Sequence, residues 1–161
     1  MNRNKHVLDK LDKFIKDNEN IMLDIFKQSL QDLIESANKP VKAGGKMPVN
    51  TGFLRASSCA SINSVPRGEI RGRHRVKGET GEIYKLNSSS AIIPTIIKIK
   101  TGDTFYFGWS AIYAPSMNLK YGFMDSAVQN WNRFVKKNIQ KFVNYKSGFK
   151  EWSQSVRRFE K

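Results

Sequence analysis

Apolar side chains recur at steps of three and four from Val7 to Ala37, at Leu8, Leu11, Ile15, Met22, Ile25, Leu30, Leu33 and Ala37, with Phe14, Phe26 and Ile34 widening the stripe. This spacing predicts a long amphipathic helix. Asp17-Asn18-Glu19-Asn20 interrupts the stripe and leaves open a break into two helices, with Asn18 or Asn20 capping the second. Asn38-Lys39-Pro40 ends the pattern, because the residue before a proline is pushed out of the helical region.

Residues 39–50, KPVKAGGKMPVN, have no hydrophobic period and read as a mobile basic loop that orders on contact. Asn50 is then expected to cap a short helical turn, and a strand is expected from about Ala60 to Val65. Residues 66–82 hold four glycines and read as a second mobile basic loop or the tip of a long hairpin. Ile83 to Leu86 is a short strand candidate. Ile96–Lys100 and Thr104–Trp109 alternate around Thr101-Gly102-Asp103, a hairpin pattern that puts Phe105, Phe107 and Trp109 on one face.

A last long helix is predicted from Asp125, with Ser126 and Gln129 at capping-box spacing and Val128, Trp131, Val135, Ile139 and Phe142 as its buried stripe. After Ser147-Gly148, the residues Phe149, Trp152, Val156 and Phe159 follow at steps of three, four and three, a short amphipathic helix with a basic remainder, suited to docking on its own fold or on a partner. Helix, loops, strands and helix in that order predict an α+β fold. It has a long N-terminal helix, an antiparallel sheet with an extended hairpin or loop, and a long C-terminal helix packed on the sheet. The expected organisation is one domain over residues 1–148 and a basic amphipathic C-terminal extension over 149–161.

Charge changes this picture. The 161 residues carry a net +14, distributed as −1 over residues 1–38, +8 over 39–78, +1 over 79–124 and +6 over 125–161. Polyanions are the natural partners of the two basic regions, and the first helix is not their contact. Arg67, Arg71, Arg73, Arg75 and Lys77 form a basic loop suited to non-specific contact with DNA phosphates. Arg71-Gly72-Arg73 also resembles the core of a minor-groove hook, without the flanking prolines.

Catalytic chemistry finds few materials. The two histidines are His6, near the N-terminus, and His74, flanked by Arg73 and Arg75, whose charges oppose its protonation and metal binding alike. Between residues 39 and 124 the carboxylates are Glu69, Glu79, Glu82 and Asp103, a poor basis for metal or nuclease work. Gly44-Gly45-Lys46 lacks both the first glycine of a phosphate-binding loop and the Ser or Thr after the lysine. No catalytic residue, cofactor or metal is therefore expected. One cysteine, Cys59, excludes an internal disulfide framework and reads as a small core residue. The charged N-terminus and the lack of a long apolar run predict neither a signal peptide nor a membrane partner, and synthesis in the cytoplasm.

Two motifs carry a resemblance. Pro48-Val49-Asn50-Thr51-Gly52-Phe53-Leu54-Arg55-Ala56-Ser57 resembles the P-V-[DN]-T-G-x-L-R-x-S signature of the tail-completion, or head–tail joining, family of tailed phages. Ile112-Tyr113-Ala114-Pro115, followed by Tyr121-Gly122 and the run into Trp131, is similar to that family's Y-A-x…E-Y-G…P-A passage into its final helix. The chain departs from the family at Lys120, in place of a glutamate, and at Asp125-Ser126, in place of a proline. Together the motifs cover about half the chain, roughly residues 48–66 and 104–145.

The resemblance implies a structural virion protein of the neck or tail, made in the host cytoplasm. It implies a ring, expected to be hexameric, that joins the tail to the DNA-filled head and lines the DNA channel. Its partners would be further copies of itself, adjacent connector or stopper, tail-terminator or tail-tube proteins, and genomic DNA contacted without sequence preference. Pro48, Asn50, Thr51, Gly52, Leu54, Arg55, Tyr113, Tyr121 and Gly122 are then the motif and subunit-interface candidates. Phe149, Trp152, Val156 and Phe159 are the partner-docking candidates. The alternative from the residues alone is a non-enzymatic nucleic-acid-binding phage accessory protein gripping phosphates through residues 67–77 and 133–150.

Overall fold

The structure, a computed structural model, describes residues 3–66, 83–84 and 92–143. The fold is α+β. Helix α1 (Arg3–Asn38) is followed by a 3-10 turn (Val41–Ala43), α2 (Phe53–Ala56), β1 (Ser58–Ile62), α3 (Ile92–Lys98), β2 (Phe105–Trp109), α4 (Ala114–Tyr121) and α5 (Phe123–Gln129). A last helix, α6, is described over residues 131–143. Among the described residues no helix is long and apolar enough to cross a membrane.

The polar run Asp17–Asn20 does not break α1, which continues unbroken to Asn38 where the sequence places its end. The Asn18 side chain folds back and donates from Nδ2 to the Phe14 carbonyl at 2.7 Å, so it joins the helix instead of capping a new one.

The described chain falls into two compact units, residues 3–29 with 131–143, and Leu30–Asn130. In the first unit α6 packs on α1. Phe26 and Trp131 meet edge to face with ring centroids 5.9 Å apart. Ser29 and Asn138 are both buried; Asn138 Nδ2 donates to Ser29 Oγ at 3.2 Å, and that hydroxyl donates to the Ile25 carbonyl at 2.7 Å. Of the expected stripe, Trp131, Val135 and Phe142 are half-buried on α6, and the stripe departs from the structure at two positions, Val128 on α5 and Ile139 on α6. Val128 and Ile139 are exposed, while Phe134 and Asn138 lie on the covered side. The helix is also interrupted at Asn130, and α5 starts at Phe123 with Gly122 as its cap, so Ser126 lies inside it and donates its N–H to Gly122.

The second unit holds the sheet. β1 and β2 pair antiparallel, Ser58 opposite Trp109, Ala60 opposite Phe107 and Ile62 opposite Phe105. Their common end is tied by Asn63, at φ 58°, whose Nδ2 donates to Asp103 Oδ1 and whose Oδ1 accepts from the Thr104 N–H, both at 2.8 Å. β2 thus pairs with β1 and not with residues 96–100, and the expected local hairpin is not formed. Residues 92–98 are helical instead, burying Ile92 and Ile96 and, just beyond, Ile99, at helical steps of four and three. Pro94 is compatible with this because it falls within the first turn, where its missing N–H costs nothing. Ile83 and Tyr84 form a bend, not a strand.

The loop after α1 is closed. Met47 is fully buried, its N–H donates to the Lys39 carbonyl at 3.0 Å, and its carbonyl accepts from Val41 N–H at 3.1 Å. Residues 39–47, expected to order only on contact, are thus organised by their own backbone around one apolar anchor.

Candidate functional site

The two motifs meet in the core of the second unit. Met47, Phe53, Leu54, Ala111, Ala114 and Phe123 form one buried cluster, with Val49, Tyr84, Trp109, Tyr113, Met117 and Met124 packed around it. Phe53 and Leu54 come from the first motif, Tyr113 and Ala114 from the second, and Phe123 from the passage that follows.

The first motif builds its turn from glycine and threonine. Gly52 caps α2 at φ 82°, a left-handed conformation that costs a residue with a Cβ roughly 1 kcal/mol or more. The cap is therefore Gly52 itself and not Asn50, which is exposed; Thr51 Oγ1 accepts the Phe53 N–H at 3.4 Å. The Thr51 carbonyl accepts the N–H groups of both Ile83 and Tyr84 at 2.9 Å, bringing the Tyr84 ring to 5.0 Å from Phe53, edge to face. Leu54 is buried as the sequence indicates, Pro48 and Arg55 are half-buried, and Arg55 lies on α2.

Ser57, the last residue of the first motif, is the joint that sequence reasoning missed. It is 3% exposed. Its hydroxyl donates to the Leu54 carbonyl at 2.8 Å and accepts the Ala111 N–H at 3.3 Å, while its carbonyl accepts from both Ser110 N–H and Ser110 Oγ. A buried hydroxyl satisfied on both sides fixes the end of α2 against the chain leaving β2. The signal available for it was its place at the end of the signature, immediately before a strand.

The second motif frames α4. Tyr113 is its N-cap and lies 6.3 Å from Phe53, centroid to centroid; burial and the neighbouring Tyr84 push its phenol above the ordinary value. Gly122, at φ 62°, ends α4 and caps α5, and its N–H donates to the Asn118 carbonyl at 2.7 Å. Asn118 also accepts the Met124 N–H at Oδ1 and donates to Asp125 Oδ2 at 3.2 Å. Asp125 thereby supports the α4–α5 corner. Tyr121 is exposed, with Lys120 Nζ 5.4 Å from its ring centroid.

Trp109 links this site to the end of α1. Its ring stacks edge to face on Phe107 and on Phe123, both at 4.9 Å, and its Nε1–H donates to Asn38 Oδ1 at 3.2 Å. Cys59 is half-buried on β1, its thiol directed at the Gly108 carbonyl and its pKa raised by burial.

Of the motif candidates, Gly52, Leu54, Tyr113 and Gly122 are gathered in or beside this core, whereas Asn50 and Tyr121 are on its outside. The basic loop Arg67, Arg71, Arg73, Arg75 and Lys77, the docking candidates Phe149, Trp152, Val156 and Phe159, and His74, Glu69, Glu79 and Glu82 lie outside the described residues. Asp103 is described, and it serves a turn. Among the described residues no three His, Cys, Asp or Glu side chains gather as a metal site. What the arrangement offers is a buried core edged by partly exposed aromatic and apolar side chains. Comparison with protein-family models, curated proteins and solved structures returns no match for this chain.

Proposed function

We propose that this chain is a non-catalytic structural protein of the neck or tail of a tailed phage particle. In this reading it is one member of a ring, expected to be hexameric, that joins the tail to the DNA-filled head. Its neighbours are further copies of itself and adjacent connector, terminator or tube proteins, and its basic segments meet the genome through phosphate charge alone. The observation that carries the reading is the union of the two motifs, more than fifty residues apart, in one core. Ser57 bonds Ala111, and Phe53 touches Tyr113. Such a union gives the two resemblances one structural meaning, a framework that holds loops at fixed positions around a ring.

The test is quantitative mass spectrometry of purified phage particles whose genome encodes the chain. A low, fixed copy number relative to the major capsid protein is expected. Absence from intact particles overturns the reading and favours a DNA-binding accessory protein, to which the +8 of residues 39–78 would then point.

A further inference from the structure

The first half of α1 carries an apolar seam that the described fold leaves uncovered. Leu8, Leu11, Ile15 and Met22 are 57%, 52%, 47% and 71% exposed, and Phe14 beside them is 66% exposed. Leu30, Leu33, Ile34 and Ala37, on the second half of the same helix, are buried. The helix is one, but its two halves are used differently.

The spacing of the seam says what kind of surface would cover it. Leu8, Leu11, Ile15, Asn18, Met22 and Ile25 follow one another at steps of three, four, three, four and three, a 3.5-residue repeat sustained over 18 positions, about 27 Å of helix. A 3.5-residue seam stays in register with another helix that coils around it, not with a sheet or a small molecule. Phe14 and Ile21 border the seam on one side, which widens it beyond the narrow stripe of a two-stranded coil. We propose that this seam packs against the same segment of a second copy of the chain, so that the amino-terminal halves of α1 form the self-association surface.

Two features favour a second copy over another helix. Asn18 occupies an inner seam position; its Nδ2 spends one N–H on the Phe14 carbonyl, and its second N–H and Oδ1 are a donor and an acceptor that a symmetry-related Asn18 complements. A lone polar residue at such a position selects register and partner number at some cost in stability. The charge of the segment is also suited to self-association. Residues 5–27 hold five lysines against five acids, in a chain that carries +14 overall. Copies therefore meet here without the repulsion that their basic regions would impose, and a polyanion has nothing to recognise. The inference does not rest on the place of the protein in a particle, since it follows from α1 alone.

The test is the mass of the full-length chain in solution, by light scattering and sedimentation at micromolar concentrations. The wild type is expected to be oligomeric. Leu11→Asp combined with Ile15→Asp is expected to give monomers of unchanged helical circular dichroism, while Lys13→Glu, outside the seam, stays oligomeric. A second variant works in the opposite direction: Asn18→Leu replaces the polar inner residue with an apolar one and is expected to tighten association by about tenfold or to change the number of copies. A monomeric wild type, an oligomer indifferent to the aspartate pair, or an Asn18→Leu variant identical to wild type overturns the proposal. So does a monomer that associates only when Trp152→Asp and Phe159→Asp are introduced, because the chain's own C-terminal extension would then be the occupant of the seam.

Discussion

Gly122 does two jobs with one dihedral angle. At φ 62° it closes α4 and opens α5, and a Cβ placed on it would meet nothing within 4 Å, so the demand is conformational and not steric. Gly122→Ala is expected to cost about 1 kcal/mol in urea unfolding and Gly122→Asn less, because asparagine tolerates the left-handed region. The two substitutions having equal cost would refute that account. Asp103 is the other residue with a stated burden. The Lys100 N–H and the Asn63 amide, bonded to its two oxygens, hold its carboxyl below the ordinary value of 3.8. A lowered folded value means that the stabilisation is complete above the ordinary value and is lost as pH falls through the folded one. Tm measured against pH should therefore drop on acidification below about 4, and part of that drop should vanish in Asp103→Asn. Single residues of this kind were only partly legible in the sequence. Gly52 and Gly122 were visible as motif glycines, but Ser57 and Asn118 announce nothing by type, and their roles depend on partners brought together from distant positions.

Elements were legible where one period dominated. α1 was plain because its apolar positions repeat for more than eight turns, and the common face of Phe105, Phe107 and Trp109 was plain because alternation over five residues has one interpretation. Residues 92–98, IIPTIIK, hold isoleucine at four of seven positions, and the alternation from Ile96 to Lys100 argued for a strand, while the buried set, Ile92, Ile96 and Ile99, follows a helix. For α6 the polar residue was the misleading one. Trp131, Val135 and Phe142 lie on the covered side as expected, but Asn138 sits among them and pairs with Ser29, so a stripe drawn through apolar residues alone takes in the exposed Ile139 and omits the buried Asn138. This pair fixes α6 against α1 through one satisfied polar contact. Asn138→Ala leaves the Ser29 hydroxyl without that donor and is expected to destabilise by about 1–2 kcal/mol, whereas Ser29→Ala with Asn138→Leu should recover most of the loss. Denaturant midpoints of the two variants, compared directly, test this. A double variant as weak as the single one would mean that the contact is not the source of the effect.

At the scale of the whole molecule the basic excess is uneven. The first 38 residues are nearly neutral, and the following forty carry +8, so association through α1 and attraction to a polyanion draw on different parts of the chain. The sequence showed this distribution fully, since charge needs no fold to be counted. It did not show that the last helical run breaks at Asn130, a break set by the backbone and not by any apolar period. The two short motifs, far apart in the sequence, come together in one core. The aromatic contacts have one more consequence. Trp109, its indole N–H bonded to Asn38 and its ring against Phe107 and Phe123, belongs to one unit, and Trp131, against Phe26, belongs to the other. Each unit thus carries its own intrinsic fluorophore. With Trp152 changed to phenylalanine, emission from chains retaining only Trp109 or only Trp131 reads the opening of each unit separately, without any attached dye.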